Sequence, residues 1–394
     1  MLDPLYYLTR PHMTATPIYL DNHATTRVDP RVLDAMLPYF SEIYGNAASI
    51  SHRFGWDAGD AVEAARGKIA ELFHTDARNV IFTSGATEAN NLALKGVLHA
   101  AVPGSHLITA AAEHKAVLDP AKRLSRSGYE VTVLPVDQHG MVDPQQIAES
   151  LRPNTVLVSI MSANNEVGTL NDIAEIAALC RQRGVHFHTD AAQSAGKIPL
   201  DLSTTPIDLL SLSGHKIYGP KGIGILFVRH GSPRIKLEPQ LDGGGHERHL
   251  RSGTLPVPLI VGLGAACELC GETMVDEAAR LLELRERLWT GLQDRLDGLT
   301  LNGHPQKRLP GNLNVSFDAV EGDALMNSMR DIAVSSGSAC TSADPQPSHV
   351  LRAMGVSDAL TRASLRFGLG RFNTTVEIDR ALEVVVTAVR GLRG

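Results

Sequence analysis

The segment FTSGATEANN at 82–91 places small polar residues between a predicted strand and a predicted helix. The strand ends before the turn Ser84-Gly85-Ala86-Thr87, and the helix begins at once. A helix N-terminus presents unpaired N–H groups and the positive end of the helix dipole, so this turn could bind a phosphate group. The spacing G-x-x-x-x-G-K of nucleotide-binding loops is absent. A helix that is merely capped after a turn is the alternative interpretation.

Two further predicted strands end in residues that could bind or react. The strand VHFHT is followed by Asp190, and the strand LLSLS leads into SGHK at 213–216. Ligands of α/β sheets bind at the carboxyl ends of the strands. A lysine that is desolvated there near other cations has a lowered pKa and a nucleophilic amine, which favours Lys216 as a reactive residue. A helix cap is the alternative for Asp190, and Lys221 is a competing lysine whose segment YGPKGIG indicates a solvated turn.

The phosphate turn, the carboxylate and the lysine all fall at predicted strand ends of one sheet. Pyridoxal phosphate (PLP) needs these three groups. A carboxylate against its pyridine nitrogen keeps the ring protonated and able to accept electrons, and a lysine amine can join its aldehyde. Each feature is weak alone, but their combination favours a PLP site.

Cys340 lies in VSSGSACTSA at 334–343, among residues too small to pack a core. Such a run predicts a mobile surface segment, in which a thiol could act as a nucleophile if its pKa is lowered. A loop cysteine without function is the alternative. Cys267 and Cys270 form a C-x-x-C in an Ala/Leu/Gly-rich stretch, and no second pair completes a zinc site, so we expect buried helix thiols.

His246 and His249 have H-x-x-H spacing in GGGHERHL, but no carboxylate or cysteine nearby in the sequence completes a metal-ligand set. We therefore expect a glycine-rich polar loop and predict no metal site.

The middle of the chain alternates strand-type and helix-type runs, which predicts an α/β fold with a mostly parallel sheet covered by helices. Seven strands are predicted: Asn79–Thr83, His106–Thr109, Glu130–Val136, Thr155–Met161, Val185–Thr189, Ile207–Leu212 and Ile223–Arg229. Only a glycine-rich turn joins the last two, so we expect one edge strand to be antiparallel. Predicted helices include Asp29–Phe40, Gly55–Leu72, Asn171–Arg183, Asp276–Leu296 and Thr375–Leu392.

The regular alternation stops after Gly253, which predicts a second, smaller α+β domain. We expect a large domain at 18–258 and a small domain made of residues 259–394 together with residues 1–17. The small domain would carry the Cys340 segment. With 394 residues, 43% hydrophobic content and a net charge of −6, the chain is typical of a soluble protein. We expect neither a nucleic acid nor a membrane as partner. Few cysteines and no signal-like N-terminus predict a cytoplasmic enzyme.

At these residues the sequence resembles the group I cysteine desulfurases of the NifS/IscS type, which belong to the class V aminotransferases. The similarity extends from Tyr19 to about Arg393. The motifs that carry it are YLDNHATT at 19–26, SHRFGW at 51–56, FTSGATE at 82–88, EHKAVL at 113–118, NNEVG at 164–168, SGHKIYGPKGIG at 213–224, GGGHERHLRSGT at 243–254 and SSGSACTSA at 335–343.

The resemblance implies a fold-type I PLP enzyme, a homodimer, and roles for individual residues. Lys216 would hold the cofactor covalently and Asp190 would pair with its pyridinium. The phosphate would be bound by Ala86, Thr87, Ser213 and His215, and by Thr254 from the partner subunit. Asn165 and Gln193 would contact the phenolic oxygen, and Asn165 would also lie at the substrate. His114 would stack on the ring and transfer protons, and Arg366 would bind the substrate carboxylate in a bidentate manner.

The implied reaction converts L-cysteine to L-alanine and leaves the sulfur on Cys340 as a persulfide for acceptors such as iron–sulfur cluster scaffolds. The alternative is a selenocysteine lyase or an aminotransferase of the same fold. The chain departs from the family pattern at Asn22-His23, where the housekeeping members have a Tyr-Ser pair. These residues lie near the expected entrance of the active site.

Overall fold

The protein is described by a computed structural model that covers residues 17–231, 235–336 and 347–394. After a short first strand, β1 (Ile18–Tyr19), seven strands form the main sheet. They are β2 (Val80–Thr83), β3 (His106–Ala110), β4 (Glu130–Leu134), β5 (Thr155–Ser159), β6 (His186–Asp190), β7 (Leu209–Ser213) and β8 (Gly224–Val228). Each of the seven predicted strands is present, within a few residues of its expected ends.

The strand order in this sheet is β2-β8-β7-β6-β5-β3-β4. Strands β3 to β7 pair in parallel, whereas β8 is antiparallel to both β7 and β2. The mostly parallel α/β fold is therefore confirmed. The antiparallel strand, however, was expected at an edge and lies second from it, because the short turn after β7 brings β8 back beside β7 and β2 then adds to its outer side.

Helices cover both faces of the sheet, because alternate residues of each strand enter different cores. Ile108 and Leu210 pack into one core with helices α3 (Arg53–Leu72) and α7 (Ile173–Arg183). Their neighbours Leu107 and Leu209 pack into another core with helices α4 (Ala86–Ala100) and α5 (Lys115–Arg126). The helices of this half are α1 (Pro30–Met36), α2 (Pro38–Ser41), α3 (Arg53–Leu72), α4 (Ala86–Ala100), α5 (Lys115–Arg126), α6 (Pro144–Ser150) and α7 (Ile173–Arg183).

The predicted helix Asp29–Phe40 is interrupted. Asp29 caps α1 as expected by accepting from the Arg31 N–H at 3.0 Å, but Pro38 begins a separate short helix, α2. Proline lacks an N–H group and its ring obstructs the preceding turn, which explains the break. By contrast, α7 ends as predicted at Gly184, whose φ of 67° is the left-handed conformation that glycine readily adopts.

One long helix, α8 (Val257–Gln293), joins the two halves of the molecule. Two separate helical stretches were expected here, and the structure joins them. Cys267 in its first half packs into the core of the large sheet, and Leu288 in its second half packs into the next core. By length and hydropathy α8 could cross a membrane, but 44% of its most apolar window is buried inside the protein. Its buried side chains belong to two of the hydrophobic cores of the protein. Cys267 and Cys270 are buried, as predicted.

The C-terminal half has the expected α+β organisation. Its strands are β9 (Leu299–Leu301), β10 (Asn312–Phe317), β11 (Ile332–Ala333), β12 (Ser335–Ser336) and β13 (Ser364–Gly368). Strand β11 pairs with β1, and the other four form a sheet in the order β12-β13-β10-β9. The helices are α9 (Gly322–Ser328), α10 (His349–Ala353), α11 (Asp358–Arg362) and α12 (Thr375–Arg393). The division at residues 258 and 259 falls inside α8 and stays a prediction.

Candidate active site

A cavity of about 540 Å³ lies at the carboxyl ends of the strands of the main sheet. Much of its wall comes from the segments that follow β2, β3, β5, β6 and β7, where ligands of α/β sheets bind, and residues 23–25 complete it. Many of the predicted site residues line it, namely Ala86, Thr87, His114, Asn165, Asp190, Gln193, Ser213, His215 and Lys216. Residues more than 100 positions apart in the sequence thus share one pocket.

One end of the cavity is formed by the N-terminus of α4. No side chain caps this helix at Gly85, so its first N–H groups face the cavity wall without a side-chain acceptor. Thr87 and Ser213 add hydroxyl groups beside them. The close approach of β8 requires Gly224, because a Cβ there would lie 2.3 Å from the Leu212 carbonyl oxygen and 2.7 Å from the Gly85 Cα. This end has the donors that bind a phosphate.

The carboxylate of Asp190 is buried in the cavity wall at the end of β6, with 5% of the residue exposed. Asn90 Nδ2 donates to its Oδ2 at 2.7 Å, and the Ala192 N–H donates to its Oδ1 at 2.9 Å. These two bonds fix the orientation of the carboxylate. A buried anion needs such partners, and a protonated ring nitrogen would supply a further one.

Lys216 projects from the one-turn helix Gly214–Lys216 that follows β7. Its Nζ donates to the carbonyl oxygens of His23 and Ala24, both at 2.7 Å. The neighbouring His215 receives its orientation from Thr25, whose Oγ1 lies 3.0 Å from Nδ1. Burial, and next the positive charge of Lys216, lower the pKa of His215 to about 4, so that its ring is neutral near pH 7. The competing Lys221 lies at the exposed rim of the same cavity.

His114 and Asn165 enter the cavity from segments that follow β3 and β5. His114 caps α5, and its Nδ1 accepts from the Ala116 N–H at 3.0 Å. Burial is the main cause that lowers the pKa of His114, so the neutral ring carries its proton on Nε2. Arg366 Nη1 donates to the backbone carbonyl oxygen of Asn165 at 2.9 Å.

Two predicted site residues, Arg366 and Thr254, do not line this cavity. Arg366 in β13 is buried, its Nη2 bonds to Asp21 and Ser335, and its Nε has no partner in the described part of the chain. Thr254 is exposed to solvent. Cys340 lies outside the described residues.

Three residues that the sequence analysis gave no role support this site. Thr25 holds His215, Asn90 holds Asp190, and His23 contacts both Lys216 and Gln193. None of the three had a signal in the local sequence, since each partner lies 100 or more residues away.

The cavity fits PLP in the chemistry of its donor groups. It combines an uncapped helix N-terminus with hydroxyls for a phosphate, a buried and oriented carboxylate for a ring nitrogen, and a lysine amine for an aldehyde. No cluster of potential metal ligands occurs within residues 17–231, 235–336 and 347–394.

Comparisons with known proteins agree with this chemistry. The family model described as aminotransferase class-V matches residues 18–381. The chain is 57% identical over 378 residues to "Cysteine desulfurase IscS" of Anaeromyxobacter dehalogenans, covering 96% of this chain and 93% of the relative. A solved structure titled "NIFS-LIKE PROTEIN" superposes with a TM-score of 0.89 at 37% identity, covering 96% of this chain and all of that one. Another, "SspA in complex with cysteine", superposes with a TM-score of 0.80 at 37% identity and covers 91% of this chain and 100% of that chain.

Proposed function

The chain belongs to the class-V aminotransferase family, and we propose that Lys216 holds the PLP with which it takes sulfur from L-cysteine. The enzyme is a PLP-dependent cysteine desulfurase, and the alternatives of a selenocysteine lyase and an aminotransferase are less well supported. The observation that carries the residue assignment is that Lys216, Asp190 and the α4 N-terminus share one cavity.

The cofactor's parts are matched to residues by charge and hydrogen-bonding capacity. The first N–H groups of α4 at Ala86 and Thr87, with Ser213 and His215 beside them, would bind its phosphate. Asp190, fixed by Asn90, would accept a hydrogen bond from the ring nitrogen. Gln193 and Asn165 would bind the phenolic oxygen, and His114 would stack on the ring. When bound, PLP supplies an electron sink for charge released at the substrate's α-carbon.

The substrate's carboxylate is bound by Arg366, the cation next to Asn165. Nη2 of Arg366 now bonds to Asp21 Oδ1 at 2.9 Å, so a second carboxylate must share or replace that contact. The amine of Lys216, when it is not joined to the cofactor, would remove the proton from the α-carbon of L-cysteine. His114, neutral and hydrogen-bonded at Nδ1, is placed to move a second proton through Nε2.

The sulfur is transferred by the thiolate of Cys340, which attacks the sulfur atom of the substrate. The bond between that sulfur and the β-carbon breaks, its electron pair stays with the carbon fragment, and protons complete L-alanine. One cysteine and one thiol thus yield one alanine and one persulfide without an external oxidant. A sulfur acceptor, such as an iron–sulfur cluster scaffold, then receives the persulfide sulfur.

The reaction is tested by measuring products from L-cysteine in the presence of a reductant. We expect alanine and sulfide in equal amounts, because each turnover breaks one carbon–sulfur bond. The same assay with the Lys216→Ala variant measures the background. A keto acid in place of alanine would instead identify transamination, and turnover of selenocysteine alone would identify a lyase.

The working enzyme is a homodimer in this proposal. Large apolar side chains on the segment 33–56, which we call the α1–α3 patch, are exposed to solvent; they are Leu33, Leu37, Phe40, Tyr44, Ile50, Phe54 and Trp56. Tyr44 and Phe54 contact each other in a tilted arrangement with ring centroids 5.4 Å apart. A concentration of exposed large apolar side chains is typical of a subunit interface. The exposed position of Thr254 fits a role at the neighbouring site, where Thr254 of the partner subunit would reach the phosphate.

We expect the double substitution Ile50→Glu and Phe54→Glu to convert the protein to a monomer, because two charges would be buried in the interface. Loss of a central apolar contact weakens association by about thirtyfold or more per residue. Size-exclusion chromatography with light scattering measures the mass. The exposed Val102, which lies outside the α1–α3 patch, provides the matched control Val102→Glu, which should remain dimeric. A dimeric double variant would contradict the assignment of this interface.

The cytoplasm is the compartment we propose. None of Cys180, Cys267 and Cys270 forms a disulfide in the described residues. A catalytic thiol such as Cys340 also needs a reducing environment to regenerate after sulfur transfer.

A further inference from the structure

The side-chain amide of Gln193 has its orientation fixed by its neighbours. Its Nε2 donates to the carbonyl oxygen of His23 at 2.9 Å, and that oxygen can only accept. Its Oε1 therefore lies on the other side, where His23 Nδ1 is 3.0 Å away and Lys197 Nζ donates at 3.2 Å. The second hydrogen of Nε2 remains for the cavity that Gln193 lines.

These contacts also determine the protonation of His23. Because Oε1 of Gln193 can only accept, Nδ1 of His23 must carry a hydrogen. Burial lowers the pKa of His23 well below its ordinary value, and the positive charges of Lys197, Arg366 and Lys216 lower it further. The ring is therefore neutral. Its Nε2, the nitrogen without a hydrogen, is buried and has no partner in the described residues.

Resting on the proposed function, we propose that His23 is a positioning residue that holds the Gln193 amide so that one N–H faces the phenolic oxygen of the cofactor. His23 forms two hydrogen bonds with this amide: its ring Nδ1 donates to Oε1, and its backbone carbonyl oxygen accepts from Nε2. Position 23 belongs to the Asn22-His23 pair at which the chain departs from its family's housekeeping pattern.

The hydrogen bond to the phenolic oxygen has a measurable electrostatic consequence. A donated N–H stabilises the negatively charged oxygen and favours the deprotonated form of the lysine-linked cofactor. Without the imidazole donor, the amide keeps only the bond from Lys197 to Oε1 and the bond from Nε2 to the backbone carbonyl oxygen of residue 23, so it is held less firmly against the phenolic oxygen. The pH midpoint of the cofactor's absorbance change should then rise.

The test is a spectrophotometric pH titration of the holoenzyme with two substitutions at position 23. For His23→Ala we expect the midpoint to rise by about 0.5 to 1 pH unit and PLP to bind about three- to tenfold more weakly, from the loss of one hydrogen bond. His23→Asn keeps a donor at the position of Nδ1 and should restore the wild-type midpoint. His99→Asn, at the exposed far end of α4, is the matched control. Equilibrium dialysis measures PLP affinity.

A double substitution separates positioning from a merely structural role. In a Gln193→Ala background, His23→Ala should shift the midpoint no further, because the amide that it positions is gone. An added shift of equal size would overturn the proposal, as would an unchanged midpoint in His23→Ala. Should His23→Ala fail to fold, His23→Ser, whose hydroxyl is too short to reach Gln193, replaces it with the same expected outcomes. A wild-type protein without lysine-linked absorbance would instead contradict the proposed function itself.

Discussion

We expect a Lys216→Ala variant to lose the absorbance of the lysine-linked cofactor and to release sulfide from L-cysteine on the order of a thousandfold more slowly. Alanine has no amine to join the aldehyde of PLP or to remove the α-proton. Two functions therefore disappear with one side chain. The absorbance spectrum of the purified protein reports the first, and sulfide release reports the second.

Lys221→Ala is the matched control for this experiment. Both lysines line the cavity, but Lys221 is exposed at its rim, whereas Lys216 donates to two carbonyl oxygens inside it. Lys221→Ala should keep the absorbance and most of the activity. Retained lysine-linked absorbance in Lys216→Ala, together with its loss in Lys221→Ala, would show that the assignment is wrong.

A Cys340→Ala variant should keep the cofactor absorbance but form no persulfide and release sulfide on the order of a thousandfold more slowly. The reason is that PLP binding does not need this thiol, whereas the attack on the substrate sulfur does. Mass spectrometry after one turnover measures the persulfide as an added sulfur atom on the peptide that contains residue 340.

Cys180→Ala and Cys270→Ala control for the loss of any thiol. Burial raises the pKa of Cys180 to about 12 and that of Cys270 to about 11, so neither provides a thiolate near neutral pH. Both variants should transfer sulfur at nearly the normal rate. Wild-type sulfide release from Cys340→Ala would exclude this residue as the acceptor of the sulfur.

The positions of the cavity-lining residues at strand ends were predictable because strand ends have a local signal. Strand-type runs of four or five residues end at Thr83, Asp190 and Ser213, and parallel strands bring such ends to one edge. The motifs then supplied roles for individual residues. His114 and Asn165 depended entirely on such motifs, because neither follows its strand directly.

Other features had no local signal. The bond between Asn90 and Asp190 spans 100 positions, and that between His23 and Gln193 spans 170. Such pairs depend on how helices pack on the sheet and not on the periodicity of either segment. The continuity of α8 was missed for a related reason, since its apolar half and its charged half pack against different cores.

The motifs of the amino-acid sequence determined the family by resemblance. Its periodicity and its strand ends, which are local properties, determined the α/β fold and the order of phosphate turn, carboxylate and lysine. Only the tertiary structure decided that β8 lies inside the sheet, that Asn90 orients Asp190, and that His23 is hydrogen-bonded to the Gln193 amide. The physical reason is that these contacts join distant segments. Their geometry is set by packing across the sheet, to which every element contributes at once.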